Sequence, residues 1–448
     1  MGLLGRMRRG ADFPVVAAQT AWCATLVLPQ TRLCGDAPVS ATPADGTVSR
    51  LSRNRDFLLL WSSQTLSETG TGATQLAMPL LVLAVTGSPT TAGAVATTAA
   101  VVEGVLRLPG GVAADRFGRR RVMLVSDAIR IVALGALIVA MILGLVSLSL
   151  IVVTAVVLSG CAVVFSPAET ASISRVVPAH QLPQAFAQNE ARAYGAGLAG
   201  PPIGGLLYSV TRAAPFLFDL VTFVVSFCAI TAVRTPLDEP QTDAKDRRSV
   251  ISQIREGLEY VQKSPFLRTV ILVGSLLNFA ATGALFATTV VLRQAGTTSA
   301  VIGVCLGVAA AGGLLGALAA NRMMSRRTVH QLVGGAAVAI TGCLIAVTVL
   351  AGTIWMVAPL ALGLFFAPAA NAALMSRLAA TTPNRIQGRV ISVVILFATA
   401  VAAVAPLTVG LLVEHTNPHV AVGIVVIAAA ASGVVATLSA GLRDDTAG

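Results

Sequence analysis

Four polar side chains recur along one face of the first long apolar segment of the sequence. Gln64, Glu68, Thr71 and Gln75 are spaced so that they fall on the same side of an α-helix. Glu68 has no basic residue within one turn of that helix, and a carboxyl group removed from water without a partner favours its neutral form. The stripe is therefore a candidate surface for both substrate and proton. The alternative is an interior acid that is hydrogen-bonded to a neighbouring helix.

Ionised residues also lie inside the second and third apolar segments. Such charges are costly within a bilayer and indicate function by default. Counted from the ends that carry most of the basic residues, Arg107 and Asp127 lie at similar depth, with Glu103 and Arg130 about one turn deeper. We therefore predict two ion pairs between adjacent antiparallel helices, Arg107–Asp127 and Glu103–Arg130. The first interpretation of these pairs is neutralisation of buried charge, and the alternative is a coupling relay.

The remaining candidates do not form a catalytic set. Asp219 and Asn278, in later apolar segments, are further candidates for the wall of a cavity. The four histidines lie in loops or at the ends of apolar segments, and the six cysteines show neither a C-x-x-C pair nor a metal-ligand spacing. The sequence also lacks the nucleotide-binding pattern G-x-x-x-x-G-K-[ST]. We therefore predict no catalytic residues, no bound metal or cofactor, and no use of ATP.

The elements that position these side chains are long apolar helices. Hydrophobic residues make up 55% of the 448 residues and charged residues only 11%, with a mean hydropathy of +0.81, too little charge to cover a soluble domain of this size. The apolar runs recur at about 20 residues each, the length that spans a bilayer as a helix, and they are continuous rather than alternating as in a barrel. We predict an all-α membrane protein with twelve spans, at 57–85, 90–113, 122–144, 147–169, 188–210, 214–233, 267–292, 298–320, 329–351, 354–376, 388–412 and 418–440.

The distribution of basic residues predicts the orientation in the membrane. The net charge is +11, but the basic residues lie in short loops between spans, and three Tyr and three Trp offer little aromatic surface for stacking on bases, which argues against a nucleic-acid partner. Nearly all of the 31 Lys and Arg residues fall on one side of the predicted spans, whereas Arg212 and Arg293 fall on the other. The basic side is expected to be cytoplasmic, with both termini there, in the cell membrane.

The spans divide into two halves around a polar central loop. We predict a disordered N-terminal extension at 1–52, six-helix halves at 53–234 and 267–441, a linker at 235–266 and a short tail at 442–448. Apolar residues recur at helical spacing within the linker, which predicts an amphipathic helix lying on the cytoplasmic surface as a tether between the halves.

The two halves repeat each other in sequence. The segment Gly110-Gly-Val-Ala-Ala-Asp-Arg matches Gly316-Ala-Leu-Ala-Ala-Asn-Arg at an offset of about 206 residues. Two further matches, around Phe165 and around Pro201, recur in the same order at nearly the same offset. A parallel duplication of this kind predicts a substrate site between the halves near the middle of the bilayer.

Two glycine-containing motifs stand at functional positions in this arrangement. Between the second and third spans lies Gly111-Val-Ala-Ala-Asp115-Arg116-Phe-Gly118-Arg119-Arg120, and on the fifth span lies Gly200-Pro201-Pro-Ile-Gly204-Gly205. Glycines permit close helix approach and a tight turn. The carboxylate of Asp115, among several arginines, can accept from helix N-terminal amides or pair with arginine in a contact that exists in one conformational state.

The first motif resembles the loop motif G-x-x-x-D-R-x-G-R-R of the major facilitator superfamily, in the place where that family carries it. The second resembles the core G-P-x-x-G-G of the motif associated with exporters in that family, although Ala187 and Ala196 replace its upstream glycines. The segment Pro-Asn-Arg-Ile-Gln-Gly388-Arg389-Val is similar to that of the branch with enterobactin exporters and macrolide efflux proteins. The resemblance covers residues 53–440.

The resemblance implies a secondary transporter that works by alternating access. It also implies a latch between the second span and the start of the eleventh, around Arg389, that holds the outward-facing state. We expect a monomeric, proton-coupled exporter of an amphipathic small molecule such as a drug, a siderophore or another secondary metabolite. A nutrient importer driven by proton symport is the alternative, followed by a membrane-bound sensor.

Overall fold

The structure is a computed structural model that describes residues 51–238, 250–325, 327–383 and 386–439. Within these ranges, the side chains of 52, 108, 111–115 and 250–254 fall outside the description. The predicted tail and all but the last two residues of the predicted extension lie outside the described residues, so neither prediction is tested.

The described part of the chain is helical and contains no strand. Three short 3-10 helices occur at Leu51–Arg53, Ala179–Gln181 and Ile354–Met356. The α-helices are α1 (Arg55–Thr86), α2 (Pro89–Phe117), α3 (Arg119–Ile142), α4 (Leu148–Val176), α5 (Leu182–Val210), α6 (Ala214–Ala232), α7 (Val250–Lys263), α8 (Pro265–Gln294), α9 (Ser299–Met324), α10 (Val329–Val349), α11 (Val357–Thr381), α12 (Gln387–Ala403), α13 (Ala405–His415) and α14 (Pro418–Leu438).

Short polar residues and one glycine set several of the helix boundaries. At the start of a helix the first backbone N–H groups have no partner within the helix, and a polar side chain can accept from them. The side chains of Asn54, Ser88, Ser264 and Asn417 accept in this way at the starts of α1, α2, α8 and α14. Gly87, with φ of +71°, ends α1 in the left-handed conformation that favours glycine. These signals divide the apolar sequence into separate helices.

Among the residues that the structure describes, ten helical segments are long and apolar enough to cross a membrane. They include α12 and α13 taken together, whereas α2 and α5, each of 29 residues, are not among the ten. Many large apolar side chains point away from the bundle, among them Val132 (71% exposed) and Val210 (77% exposed). An apolar outer surface of this extent fits a lipid environment rather than water.

The predicted eleventh span consists of two helices. α12 ends at Ala403 and α13 begins at Ala405, just before Pro406, which has no N–H to donate and disfavours a continuous helix. The backbone N–H of Leu407 donates to Thr97 Oγ1 of α2 at 3.1 Å. The break therefore gives a backbone donor to a neighbouring helix.

The helices form two sets that meet along two helix pairs. In the N-terminal set (α1–α6), α1 packs against α5 and α6, and α2 packs against α4. In the C-terminal set (α8–α14), α8 packs against α12 and α14, and α9 packs against α11. The sets join where α5 packs against α9 and α2 packs against α13. We call the end of the bundle at the α2–α3 turn the basic face, and the end at the α1–α2 turn the far face.

The linker helix α7 is docked on the C-terminal set. Val261 of α7 is buried, and the Tyr260 hydroxyl donates to the carbonyl of Thr381 at 3.4 Å. Gly257 lies against the backbone of Arg389 at the start of α12, and Glu256 forms an ion pair with the Arg389 side chain. The interpretation of this helix as a surface tether is therefore incomplete, because helical periodicity does not reveal that its apolar face covers protein.

Candidate functional site

A cavity of about 630 Å³ lies between the two helix sets. Most of its wall is apolar, with side chains contributed by α1 to α6 and by α8, α9, α11 and α13. All of its charged side chains come from the N-terminal set, and the C-terminal set contributes neutral polar groups. The polar and charged residues of the wall are Thr71, Thr74, Gln75, Glu103, Arg130, Ser159, Tyr194, Asp219, Asn278, Thr282, Thr289 and Asn371.

Seven residues singled out in the sequence lie on this wall, and others lie outside it. Thr71 and Gln75 reach the cavity, together with Glu103, Arg130, Pro201, Asp219 and Asn278. Gln64 and Glu68, the other members of the α1 stripe, lie nearer the basic face. The stripe therefore runs from the cavity toward that face, as a helix with one polar side requires.

Gln64 begins a buried chain of hydrogen bonds across three helices. Its Nε2 donates to Ser226 Oγ of α6 at 2.9 Å, and Ser226 Oγ donates to Asp127 Oδ2 of α3 at 2.6 Å. All three residues are buried, and Asp127 has no exposed surface. Because unpartnered polar groups are costly inside a protein, this chain fixes α1, α3 and α6 relative to one another.

Glu68 belongs to a triad with Arg192 of α5 and Glu169 of α4. Arg192 Nη2 lies 3.0 Å from Glu68 Oε1 and 2.8 Å from Glu169 Oε1. The exposed fraction is 2% for the Arg192 side chain, 11% for Glu169 and 36% for Glu68. Two carboxylates that share one guanidinium carry one excess negative charge, so a single proton makes the triad neutral. We call these three residues the Arg192 triad.

The prediction that Glu68 lacks a basic partner is wrong. Arg192 lies 124 residues away in sequence, on another helix, so the residues within one turn of Glu68 do not reveal it. α5 begins at Leu182 rather than at the predicted 188, and α4 extends to Val176 rather than 169. Glu169, predicted as the last residue of its span, and Arg192, predicted in the first turns of its span, therefore both lie well inside helices. Pro183 in the first turn of α5 is the available signal, because proline favours that position.

The predicted partners of the charges on α2 and α3 are also wrong. Asp127 Oδ1 lies 3.6 Å from Arg130 Nη1, one turn further along α3. Glu103 interacts with Arg107 on its own helix and with the Ser159 hydroxyl of α4. Similar depth in the membrane does not show which way each side chain points. Each acid has a cation one turn away on its own helix.

Arg130 is held between two aromatic rings beside the cavity. Its guanidinium carbon lies 5.1 Å from the ring centre of Phe165 and 4.9 Å from that of Phe223. Such cation–π contacts are attractive, and more so when water is excluded. They keep the cation at the wall of the cavity, although α3 contributes no other side chain there.

Five buried polar atoms of residues on the cavity wall have no hydrogen-bond partner within the described residues. They are Thr74 Oγ1, Arg130 Nε, Tyr194 Oη, Asp219 Oδ2 and Asn371 Oδ1. The other carboxylate oxygen of Asp219 accepts from the Thr222 hydroxyl at 3.4 Å, and the residue is 1% exposed. Tyr194 and Asn371 were missed in the sequence, where the signal is a polar residue within an apolar helix. These atoms can orient a bound molecule that carries hydrogen-bonding groups.

The first glycine motif organises the basic face of the N-terminal set. Gly118, with φ of +84°, makes the turn between α2 and α3. Arg119 donates to the carbonyl of Ala171 at 3.3 Å, and Arg120 donates to the carbonyl of Thr231 at 2.6 Å. Gly111 lies within α2, the side chain of Asp115 lies outside the described residues, and Arg116 lies over the ring of Phe117 at 5.6 Å. The contacts of Arg119 and Arg120 hold the motif against its own helix set.

The second motif packs against both helix sets. Gly200 lies against Gly72 of α1, and a Cβ added at Gly204 would lie 2.6 Å from the Cα of Ala73, also on α1. The neighbouring Gly205 instead faces α9 of the C-terminal set, where a Cβ would lie 3.0 Å from the Cα of Gly303. The carbonyl of Pro201 also meets Gly303. Adjacent glycines thus serve packing within one set and contact between the sets.

The sequence and the structure are both similar to those of membrane transporters. Residues 60–379 match the family model of the Major Facilitator Superfamily. The multidrug efflux pump Tap of Mycolicibacterium fortuitum is 31% identical over 289 residues, covering 60% of this chain and 68% of that protein. The multidrug efflux pump Tap of Mycobacterium tuberculosis strain H37Rv is 30% identical over 226 residues, covering 49% of this chain and 53% of that protein.

Solved structures of low sequence identity share the fold. A bacterial homologue of the human lysosomal transporter Spinster, in an inward-facing and unoccupied conformation, matches with a TM-score of 0.70 at 14% identity, covering 88% of this chain and 98% of that one. A bacterial homologue of the iron transporter ferroportin in an inward-facing state matches with a TM-score of 0.66 at 15% identity, covering 87% of this chain and 98% of that one.

Proposed function

Because the chain belongs to the major facilitator superfamily, we propose that it is a proton-coupled exporter of an amphipathic small molecule. The family and the relatives make it a transporter rather than an enzyme, and a multi-pass membrane protein. The observation that carries the proposal is the central cavity, which has an apolar wall, charges on one side and unpartnered polar atoms. Such a wall suits a molecule with an apolar body and a few polar groups. The efflux pumps among the relatives favour export.

We propose that α2 and α5 also cross the membrane, which gives twelve spans. Each is about 43 Å long at 1.5 Å per residue, more than a bilayer core requires. Their charged side chains lower their hydropathy, but α2 and α5 pack against α4 and α1 inside the N-terminal set. The two sets then correspond to parallel six-helix repeats at 53–234 and 267–441, joined by the linker at 235–266.

The proposed orientation places the basic face in the cytoplasm and the far face outside, with the chain in the cell membrane as a monomer. Arginine and lysine in short loops are retained on the cytoplasmic side. Arg212, in the turn after α5, and Arg293, in the last turn of α8, are the two basic residues predicted to lie outside.

Single cysteines will test this orientation in a variant whose native cysteines are replaced by serine. Thiols introduced at Ala213 and Thr297 are expected to react with an impermeant reagent added to intact cells, because both positions lie in far-face turns. A thiol at Arg120 is expected to react only after the cells are opened. Reversed labelling would show that the charge distribution has given the wrong orientation.

The proposed cycle is alternating access, with the structure corresponding to the inward-facing state. Two close backbone contacts between the sets, Gly205 with α9 and Gly410 of α13 with Pro89 at the start of α2, lie toward the far face. In the outward-facing state, Asp115 would latch onto the start of α12, as the family resemblance implies. In the structure, Arg389 forms an ion pair with Glu256 of α7. This ion pair and the Asp115 latch would therefore form in different states of the cycle.

The Arg192 triad is the proposed proton site. Its net charge changes from −1 to zero when one proton binds, and Glu68 is its most exposed member. It lies between the central cavity and the basic face, so a proton bound there is near both substrate and cytoplasm. The Gln64–Ser226–Asp127 chain lies beside it on α1 and can transmit a change at Glu68 to α3.

Transport into everted membrane vesicles will test the proposed function. With an acidic interior, vesicles that contain the protein are expected to accumulate amphipathic dyes from a panel of cationic and neutral compounds, and a protonophore is expected to stop the accumulation. Vesicles without the protein are the control. Accumulation only in right-side-out vesicles would indicate the importer instead, and rates that do not depend on the pH gradient would contradict proton coupling.

A further inference from the structure

A carboxylate at the far face joins the two helix sets. Glu414, near the end of α13, accepts from the Ser88 hydroxyl at 2.5 Å and from the backbone N–H of Thr90 at 2.8 Å, both through Oε2. Ser88 and Thr90 lie at the start of α2, in the N-terminal set, more than 300 residues away in sequence. One acidic side chain of the C-terminal set thus binds two donors of the other set.

The donors suit a carboxylate for a physical reason. The first N–H groups of a helix have no partner within the helix and carry partial positive charge. In α2, Pro89 has no N–H, and the Ser88 hydroxyl already accepts from the Thr91 N–H at 3.1 Å, so its proton is available to Glu414. Hydrogen bonds to a charged acceptor are stronger than those between neutral groups.

The backbones of the two helices also meet at this point. A Cβ added at Gly410 would clash with the carbonyl oxygen of Pro89, and the Thr90 hydroxyl donates to the carbonyl of Gly410 at 3.4 Å. The Glu414 side chain is exposed at the rim of this contact. If the far ends of α2 and α13 separate, the carboxylate loses both donors and is hydrated instead.

We propose that Glu414 is the latch that holds the far face closed in the inward-facing state. It acts at the opposite end of the protein from the latch implied for Asp115, and a residue from the other helix set supplies the acid. The proposal rests on the alternating access proposed above. Since both contacts exist only while the far ends of the two sets meet, they stabilise one state of the cycle relative to the other.

The accessibility of the cavity from outside will test the latch. In a variant without native cysteines, a thiol introduced at Thr289, on the cavity wall, reports the outward-facing state through its reaction with an impermeant reagent on intact cells. Glu414→Gln is expected to raise the labelling rate about threefold to tenfold, because it removes the charge that strengthens the contacts. The matched control is Thr416→Ala, whose hydroxyl bonds within its own helix, and its rate should not change.

Ser88→Ala tests the latch from the donor side; because it also removes the side chain that caps α2, its combination with Glu414→Gln separates a latch from a general loosening of the helix. The single variant is expected to raise the labelling rate as well, and the double variant should exceed Glu414→Gln by little, because both changes remove the same contact. An unchanged rate in Glu414→Gln, or fully additive effects, would overturn the latch.

A cross-link tests alternating access independently. Cysteines at positions 88 and 414, joined by a short bifunctional thiol reagent, are expected to stop transport of the dye, and cleavage of a reducible reagent should restore it. Continued transport by the cross-linked protein would contradict the proposed alternating access. Inhibition by the cross-link together with an unchanged labelling rate in Glu414→Gln would contradict the latch alone.

Discussion

Glu68→Gln is expected to abolish concentrative export while substrate binding survives. Glutamine keeps the shape and the hydrogen-bonding capacity of the side chain, but it cannot gain or lose a proton. The Arg192 triad then contains one carboxylate and one guanidinium and remains neutral throughout the cycle. Because this charge state is the same as that of the protonated triad, the fold should be retained, whereas removal of Arg192 would leave two carboxylates without a cation, and that of Glu169 is buried.

Everted vesicles will measure both parts of this prediction. Dye accumulation by Glu68→Gln should fall to the level seen without a pH gradient, and exchange of dye down its own gradient should persist. Glu259→Gln is the control, because Glu259 is an acid that pairs with Arg255 on its own helix, α7. If Glu68→Gln still concentrates dye against its gradient, the proton site lies elsewhere, with Asp127, Glu103 and Asp219 as the next candidates.

The site shows what the sequence could predict and what it could not. The polar stripe on α1 follows from the helical repeat alone, and two of its members, Thr71 and Gln75, do line the central cavity. The cation that pairs with Glu68 could not be found in this way, because it comes from another helix. Periodicity within a helix shows which residues share a side, but not which helix covers that side.

The same limit explains the wrong ion pairs on α2 and α3. Of the four charged residues singled out by their depth along antiparallel helices, Glu103 and Arg130 line the cavity. Depth could not decide between a partner across the helix boundary and one on the same helix. For Arg130 the structure gives Asp127 one turn away and two aromatic rings, and the rings come from α4 and α6, which hydropathy does not relate to α3.

The sequence failed to predict some helix boundaries and the docking of α7 for a different reason. Hydropathy ends a span where charges begin, so α4 and α5 were predicted too short at the ends that carry Glu169 and Arg192. For α7, the spacing of apolar residues predicts an amphipathic helix equally well for a lipid surface and for a protein surface. The ion pair of Glu256 with Arg389 depends on a contact between segments that are far apart in the sequence.

Gly205→Ala is expected to shift the protein toward its outward-facing state. The added methyl group would clash with the carbonyl oxygen of Ser299 and lie 3.0 Å from the Cα of Gly303, both on α9. Backbone atoms of a packed helix cannot move aside as the end of a side chain can, and overpacking of this kind costs about 1–3 kcal/mol. That cost applies only while α5 and α9 meet at the far face, so it would change the ratio of the two states by roughly 5- to 150-fold.

Gly204→Ala, one residue earlier, is the matched control and should behave differently. Its methyl group would lie 2.6 Å from the Cα of Ala73 on α1, within the N-terminal set, so the cost should be equal in both states. We expect Gly204→Ala to lower the thermal stability of the purified protein without changing the labelling of a thiol at Thr289 from outside. Gly205→Ala should raise that labelling and leave the stability less affected. Equal effects of the two variants on labelling would show that α5 and α9 do not separate at Gly205 during the cycle.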